Sequence, residues 1–131
     1  MNKYLQAYQT NTVNTASGEQ LTMMLYNGCI KFINQAIKEM KKKNYEAKNE
    51  YIQKAQDIIQ ELMLTLDPEV EISQQMLLLY EYINYQLQEG NITNNVDHVQ
   101  EALTYVREFR DTWKDLILQT NSNTYAQGAK V

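Results

Sequence analysis

Residues 17–43 read SGEQLTMMLYNGCIKFINQAIKEMKKK (Ser17–Lys43). Leu21, Leu25, Gly28, Phe32 and Ala36 recur at intervals of three and four, the spacing of one helical face. Met23, Tyr26, Ile30, Ile33, Ile37 and Met40 form a second set on a neighbouring face. At about 100° per residue, apolar side chains cover roughly two thirds of this helix. An ordinary surface helix buries a narrower stripe, so this one needs cover from several sides. Ser17 with Gln20 has the spacing of a capping box at its start. Lys41, Lys42 and Lys43 place cations where the helix dipole is negative, which explains this basic run without a nucleic-acid partner.

The chain continues in the same mode downstream. Asn44 is suited to cap a second helix, whose core stripe is Tyr51, Ala55, Ile58, Ile59, Leu62 and Leu66, with Ile52 and Met63 on its shoulder. Asp67-Pro68 either stops that helix or caps the next. A third helix is predicted over 72–89. Ile72, Met76, Leu79, Tyr80, Ile83 and Leu87 face the core, and Leu78, Tyr82 and Tyr85 lie on a second, surplus face. Gly90-Asn91 reads as a helix stop. A fourth helix over 93–120 carries Val96, Val99, Leu103, Val106, Phe109, Trp113 and Leu116/Ile117 in a heptad-like seam. Residues 121–131 are small and polar and read as a flexible tail. Upstream, residues 1–16 are rich in Asn, Thr and Gln, with isolated apolar side chains at Tyr4, Leu5, Tyr8 and Val13, and read as an extended or weakly helical arm.

Composition agrees with long helices. The 131 residues include one Pro and four Gly, too few for the turns of a many-stranded sandwich or barrel. The expected fold is therefore all-α: one domain over 1–131, an antiparallel up-down-up-down four-helix bundle with an N-terminal arm. Phe32, Leu62, Leu79, Leu103 and Trp113 are assigned to its core. Ten Tyr against two Phe and one Trp suggest apolar surface with polar tips, turned partly outward.

Charge and motif content narrow the function. The net charge of −4 divides as +2 over residues 1–66 and −6 over 67–131. No face concentrates cations as nucleic-acid binding requires. The single Cys29 cannot form an internal disulfide, and its apolar helical setting suits an inert buried thiol. Residues 1–20 lack the apolar centre of a signal peptide, and no apolar run is long enough to span a bilayer, so the expected location is the cytoplasm. A di-iron bundle site needs two Glu-x-x-His motifs, and the chain has one His. His98 with Glu101 is read as a solvent-facing pair three residues apart. Cys29 and His98 lack a third orienting group. No phosphate loop or nucleophile elbow is present. No metal, cofactor or enzymatic activity is expected.

The surplus apolar faces remain to be explained. They suit either a groove for an amphipathic partner helix or a homodimer interface without any client. The groove is assigned to Tyr26, Ile30, Ile52, Ile59, Met63, Leu78, Tyr82 and Tyr85.

Four stretches resemble the flagellar secretion chaperone family FliS. They are YLQAYQTNTVNTAS (Tyr4–Ser17), running on through Glu19-Gln20-Leu21 to MLYNG (Met24–Gly28); KAQDIIQEL (Lys54–Leu62) with Leu66-Asp67; Glu71-Ile72-Ser73 followed by LYEYI (Leu79–Ile83); and RDTWK (Arg110–Lys114). The resemblance spans residues 4–117. There are departures: Gly18 stands where the family usually has Pro, Asn27 where it has Asp, and Asn84-Tyr85 where it has a typically basic pair. The resemblance implies a cytoplasmic four-helix bundle that binds the C-terminal segment of flagellin. It further implies that the bundle keeps flagellin unpolymerised and delivers it to the export-gate membrane protein of the flagellar type III system. The composition of the arm suggests a lid: Tyr4, Leu5, Tyr8 and Val13 would lie in the groove until a client displaces them.

Overall fold

The computed structural model describes residues 18–129, with side chains described over 18–119. The arm residues Tyr4, Leu5, Tyr8 and Val13, and the cap Ser17, lie outside the described residues. Four helices follow one another: α1 (Gly18–Lys41), α2 (Tyr45–Leu64), α3 (Glu71–Thr93) and α4 (Val96–Ala129). Among the described residues there is no strand. Short links make sequential helices antiparallel, and α4 returns to pack on α1, so each helix has two neighbours around one core.

Local chemistry sets the links. The Asn44 amide donates to Glu39 O (3.0 Å) and the Lys43 amide to Met40 O (3.1 Å), with Lys43 left-handed at φ 60°. This is a Schellman ending for α1, with Lys where Gly is usual. Asn44 then caps α2, its side chain accepting from the Ala47 amide at 3.3 Å. At the next link, α2 stops at Leu64 and Asp67 organises a turn of its own, its side chain accepting from the Glu69 amide (2.9 Å). Val70, which has no capping side chain, precedes α3. α2 already closes at its C-cap Thr65, so Asp67-Pro68 forms a separate turn between the helices and is not the cap of α3.

Two boundaries differ from expectation. Gly90 does not end α3, which runs on to Thr93 and ends with Asn94 left-handed at φ 54°. Gly90 is buried where α3 and α4 converge, and a side chain there would collide with Val99 Cγ2. It is a close-approach glycine and not a stop. Residues 121–129, read as tail, continue α4 to Ala129.

The core holds Leu25, Phe32 and Ile33 of α1, Ile58 and Leu62 of α2, Tyr80, Ile83 and Leu87 of α3, and Val99, Leu103 and Val106 of α4. Each such side chain contributes about 1.5–3 kcal/mol by leaving water. Phe32, Leu62 and Leu103 are core as expected. Trp113 is half-buried against the core, and Leu79 is 40% exposed. Ile72 is 58% exposed, whereas Tyr80, Ile83 and Leu87 are buried. Met76 is half-buried against the core, so the α3 stripe is fully covered only from Tyr80 onward, and the assignment of Leu79 to the core does not hold.

Candidate functional site

The eight residues assigned to a groove separate into two groups. Tyr26, Ile30, Ile52 and Ile59 are between 0 and 8% exposed and belong to the core. Their placement on a surface groove is corrected by the structure. α1 packs against both α2 and α4, so its second apolar face is interior as well as its first, and Ile52 meets that interior from α2. Tyr26 satisfies its polar tip there by a hydroxyl–hydroxyl hydrogen bond to Tyr80 (2.6 Å), and its ring stacks on Phe109 at 6.0 Å. Burial pushes both phenols above the ordinary tyrosine value, and the hydrogen bond between them raises Tyr80 further.

The other four are accessible. Leu78 is 64% exposed, Tyr85 54% and Tyr82 36%, and Met63 is half-buried. Leu78, Tyr82 and Tyr85 form the outer face of α3. Tyr82 is fixed in place. Its hydroxyl donates to Glu101 Oε1 (2.7 Å) and accepts from Gln86 Nε2 (2.7 Å), and its ring meets Tyr105 edge-on at 5.6 Å. Donation to that carboxylate raises the Tyr82 phenol above its usual value. Gln86 Oε1 is held in turn by His98 Nδ1. His98 is half-buried between α3 and α4 and bonds to Gln86, while Glu101 bonds to Tyr82, so the solvent-facing His98–Glu101 pair is not formed.

A second surface was not singled out from the sequence. Met23 and Met24 of α1 and Ile117 and Leu118 of α4 line an open groove of about 800 Å³, rimmed by Gln20, Asn27, Arg110, Asp111 and Lys114. Leu118 in its wall is 56% exposed. Arg110 Nε pairs with Asp111 at 2.9 Å. At the same end Trp113 Nε1 donates to Glu19 O (2.9 Å), tying α4 to the first turn of α1. Periodicity signalled these residues through Met23 and the Leu116/Ile117 seam. It could not separate a core contact from a groove wall at a helix end.

Cys29 is fully buried and donates to Ala55 O at 3.7 Å, and burial pushes its thiol far above the reactive range. Among the described residues no group of three or more His, Cys, Asp or Glu could hold a metal ion, and no helix is long and apolar enough to cross a membrane.

Comparison with known proteins identifies what this bundle is similar to. The model of the family "Flagellar protein FliS" matches residues 1–120. The chain belongs to the FliS family. The flagellar secretion chaperone FliS of Bacillus subtilis (strain 168) is 43% identical over 122 residues, 93% of this chain and 92% of that one. The FliS of Escherichia coli (strain K12) is 32% identical over 118 residues, 88% and 87% of the two chains. A solved structure titled "Crystal structure of flagellar chaperone from bacteria" superposes with a TM-score of 0.73 at 20% identity, covering 89% of this chain and 97% of that one, which establishes the shared fold. Membership in FliS makes this a chaperone of flagellar secretion, and the exposed apolar surfaces are the parts of the bundle to examine for its client.

Proposed function

We propose that this FliS-family chain binds the C-terminal segment of flagellin on the outside of its bundle and keeps it from polymerising in the cytoplasm. It then hands the client to the export-gate membrane protein of the flagellar type III system. The observation that carries this reading is the pair of apolar surfaces left open on an otherwise well-packed core. One is the α1–α4 groove floored by Met23, Met24, Ile117 and Leu118, and the other is the outer face of α3 at Leu78, Tyr82 and Tyr85. An amphipathic client that is disordered when free could wrap from one to the other and bury both. Methionine side chains are flexible and polarizable, which suits a floor that must conform to such a client.

The arm has a place in this reading. α1 begins at Gly18, and Gln20 in its first turn already rims the α1–α4 groove. Tyr4, Leu5, Tyr8 and Val13 would cover that groove in the free chaperone and give way to the client. The cost to client affinity would be set by the population of the covered state.

The test is a pair of charge substitutions at exposed positions, Leu118→Asp in the groove and Leu78→Asp on α3. Both should weaken binding of a flagellin C-terminal peptide at least about tenfold while the far-UV helical signal and unfolding midpoint stay as in the parent. Unchanged binding in both variants would count against the proposed surfaces. A dimer through the same faces that persists when flagellin is added would replace the client reading with a purely structural one.

A further inference from the structure

A separate groove runs along the α2–α3 seam. It measures about 540 Å³, and Asp57, Met63, Glu81, Asn84 and Tyr85 are among its walls. Met63 also lines a smaller hollow of about 220 Å³ with Leu77, so the two hollows adjoin.

The surroundings of this groove specify the charge of an occupant. Residues 55–106, which supply half of α2, all of α3 and the start of α4, contain nine carboxylates and not one Lys or Arg. The cation that precedes this stretch, Lys54, lies over the rings of Phe32 and Tyr51 at 5.5 and 5.7 Å, toward α1. Glu81 is exposed at the groove wall. Asn84 Oδ1 is buried there with no hydrogen-bond partner among the described residues, an acceptor without a donor. Beside these, Tyr85 is 54% and Leu77 37% exposed.

A carboxylate, an unpaired acceptor and aromatic or aliphatic surface together match one kind of side chain. Lys and Arg lay an apolar stem on such surface and present donors at its end, and a cation over a tyrosine face gains further attraction. We infer that the α2–α3 groove docks a cationic amphipathic segment of a partner protein. Its Lys or Arg side chains meet Glu81 and donate to Asn84, and its apolar side chains rest on Met63, Leu77 and Tyr85. The inference rests on the chaperone reading in one respect, that the bundle works by binding helical segments. It adds the charge of the partner at this seam. Nucleic acids and anionic lipid surfaces are repelled by the same carboxylates.

The experiment titrates the full chain calorimetrically with two synthetic helical peptides, one with Lys and one with Glu beside the same leucines. Amide NMR shifts locate the binding. The Lys–Leu peptide should bind and shift Asp57, Asn84 and Tyr85, and it should weaken about tenfold both at high salt and in Glu81→Lys. The Glu–Leu peptide should not bind. Met24→Asp, in the α1–α4 groove, should leave the Lys–Leu affinity unchanged. Equal affinity for the two peptides, shifts confined to other helices, or indifference to Glu81→Lys would overturn the inference. A chain that binds the flagellin peptide but not the Lys–Leu peptide would overturn it too, while the chaperone reading stands.

Discussion

Lys48 is 2% exposed, and its ammonium donates to Asn91 O (3.0 Å) and to Asn94 Oδ1 (2.6 Å), with the Tyr45 ring 5.4 Å away. It therefore ties α2 to the carboxyl end of α3, where the dipole favours a cation. Burial nevertheless lowers its pKa from the ordinary 10.5. The unfolded chain binds more protons at this site between the lowered value and 10.5, so the stability Lys48 confers grows as pH rises through that window. Lys48→Met should destabilise by about 1–3 kcal/mol at neutral pH. The gap to the parent should widen toward pH 10.5, as read by urea unfolding at each pH. Gly90→Ala should cost about 1–3 kcal/mol because its methyl meets Val99 Cγ2, and adding Val99→Ala should recover part of the loss. Ile59→Asp places an unpaired carboxylate in a site with 0% exposure, and loss of more than about 4 kcal/mol should be seen as loss of the cooperative melt. The Lys48 and Gly90 contacts were not legible in the sequence, because both residues acquire their meaning from partners on other helices. Ile59 was legible as part of the α2 core stripe, and its burial decides against its second assignment to the groove.

Each helix was legible where local chemistry decides it and ambiguous where its neighbours do. Asn44 reads as a cap and caps α2, because an Asn cap needs only the amide three residues on. Phe32, Leu62 and Leu103 read as core and are core, since they sit at the centres of their stripes. Tyr26, Ile30 and Ile52 sit on second faces or shoulders, and such a position is interior or exterior according to how many helices flank it. The apolar surface of α1 is wider than one neighbour can cover, and the two flanking helices bury most of it. On α3 the same ambiguity ran the other way, and Leu79 is exposed although it lies on the core stripe. The link between α1 and α2 offers a test at this scale. Lys43 occupies φ 60°, a conformation that costs an L side chain energy. Lys43→Gly should relieve this strain and raise the unfolding free energy by about 0.5–1 kcal/mol by urea titration, without altering client binding.

At the scale of the whole molecule, the bundle packs a continuous apolar interior and leaves two kinds of surface open. One is apolar, at the α1–α4 groove and the outer face of α3, and the other is anionic and apolar, along the α2–α3 seam. This division places four of the ten tyrosines: Tyr26 and Tyr80 close the core by pairing their hydroxyls, while Tyr82 and Tyr85 face outward. If the arm is a lid, deleting residues 1–12 should tighten client binding or promote self-association in light scattering. A sharp fall in client affinity would instead make the arm a contact. The central claim, that the chain chaperones flagellin through open apolar surface, is tested most directly by calorimetric titration of the full chain with a peptide from the C-terminus of its cognate flagellin. The account predicts saturable binding with a negative heat-capacity change, the mark of apolar burial, and its loss in Leu118→Asp and Leu78→Asp. Absence of binding by a folded chain, or binding indifferent to both substitutions, would contradict it.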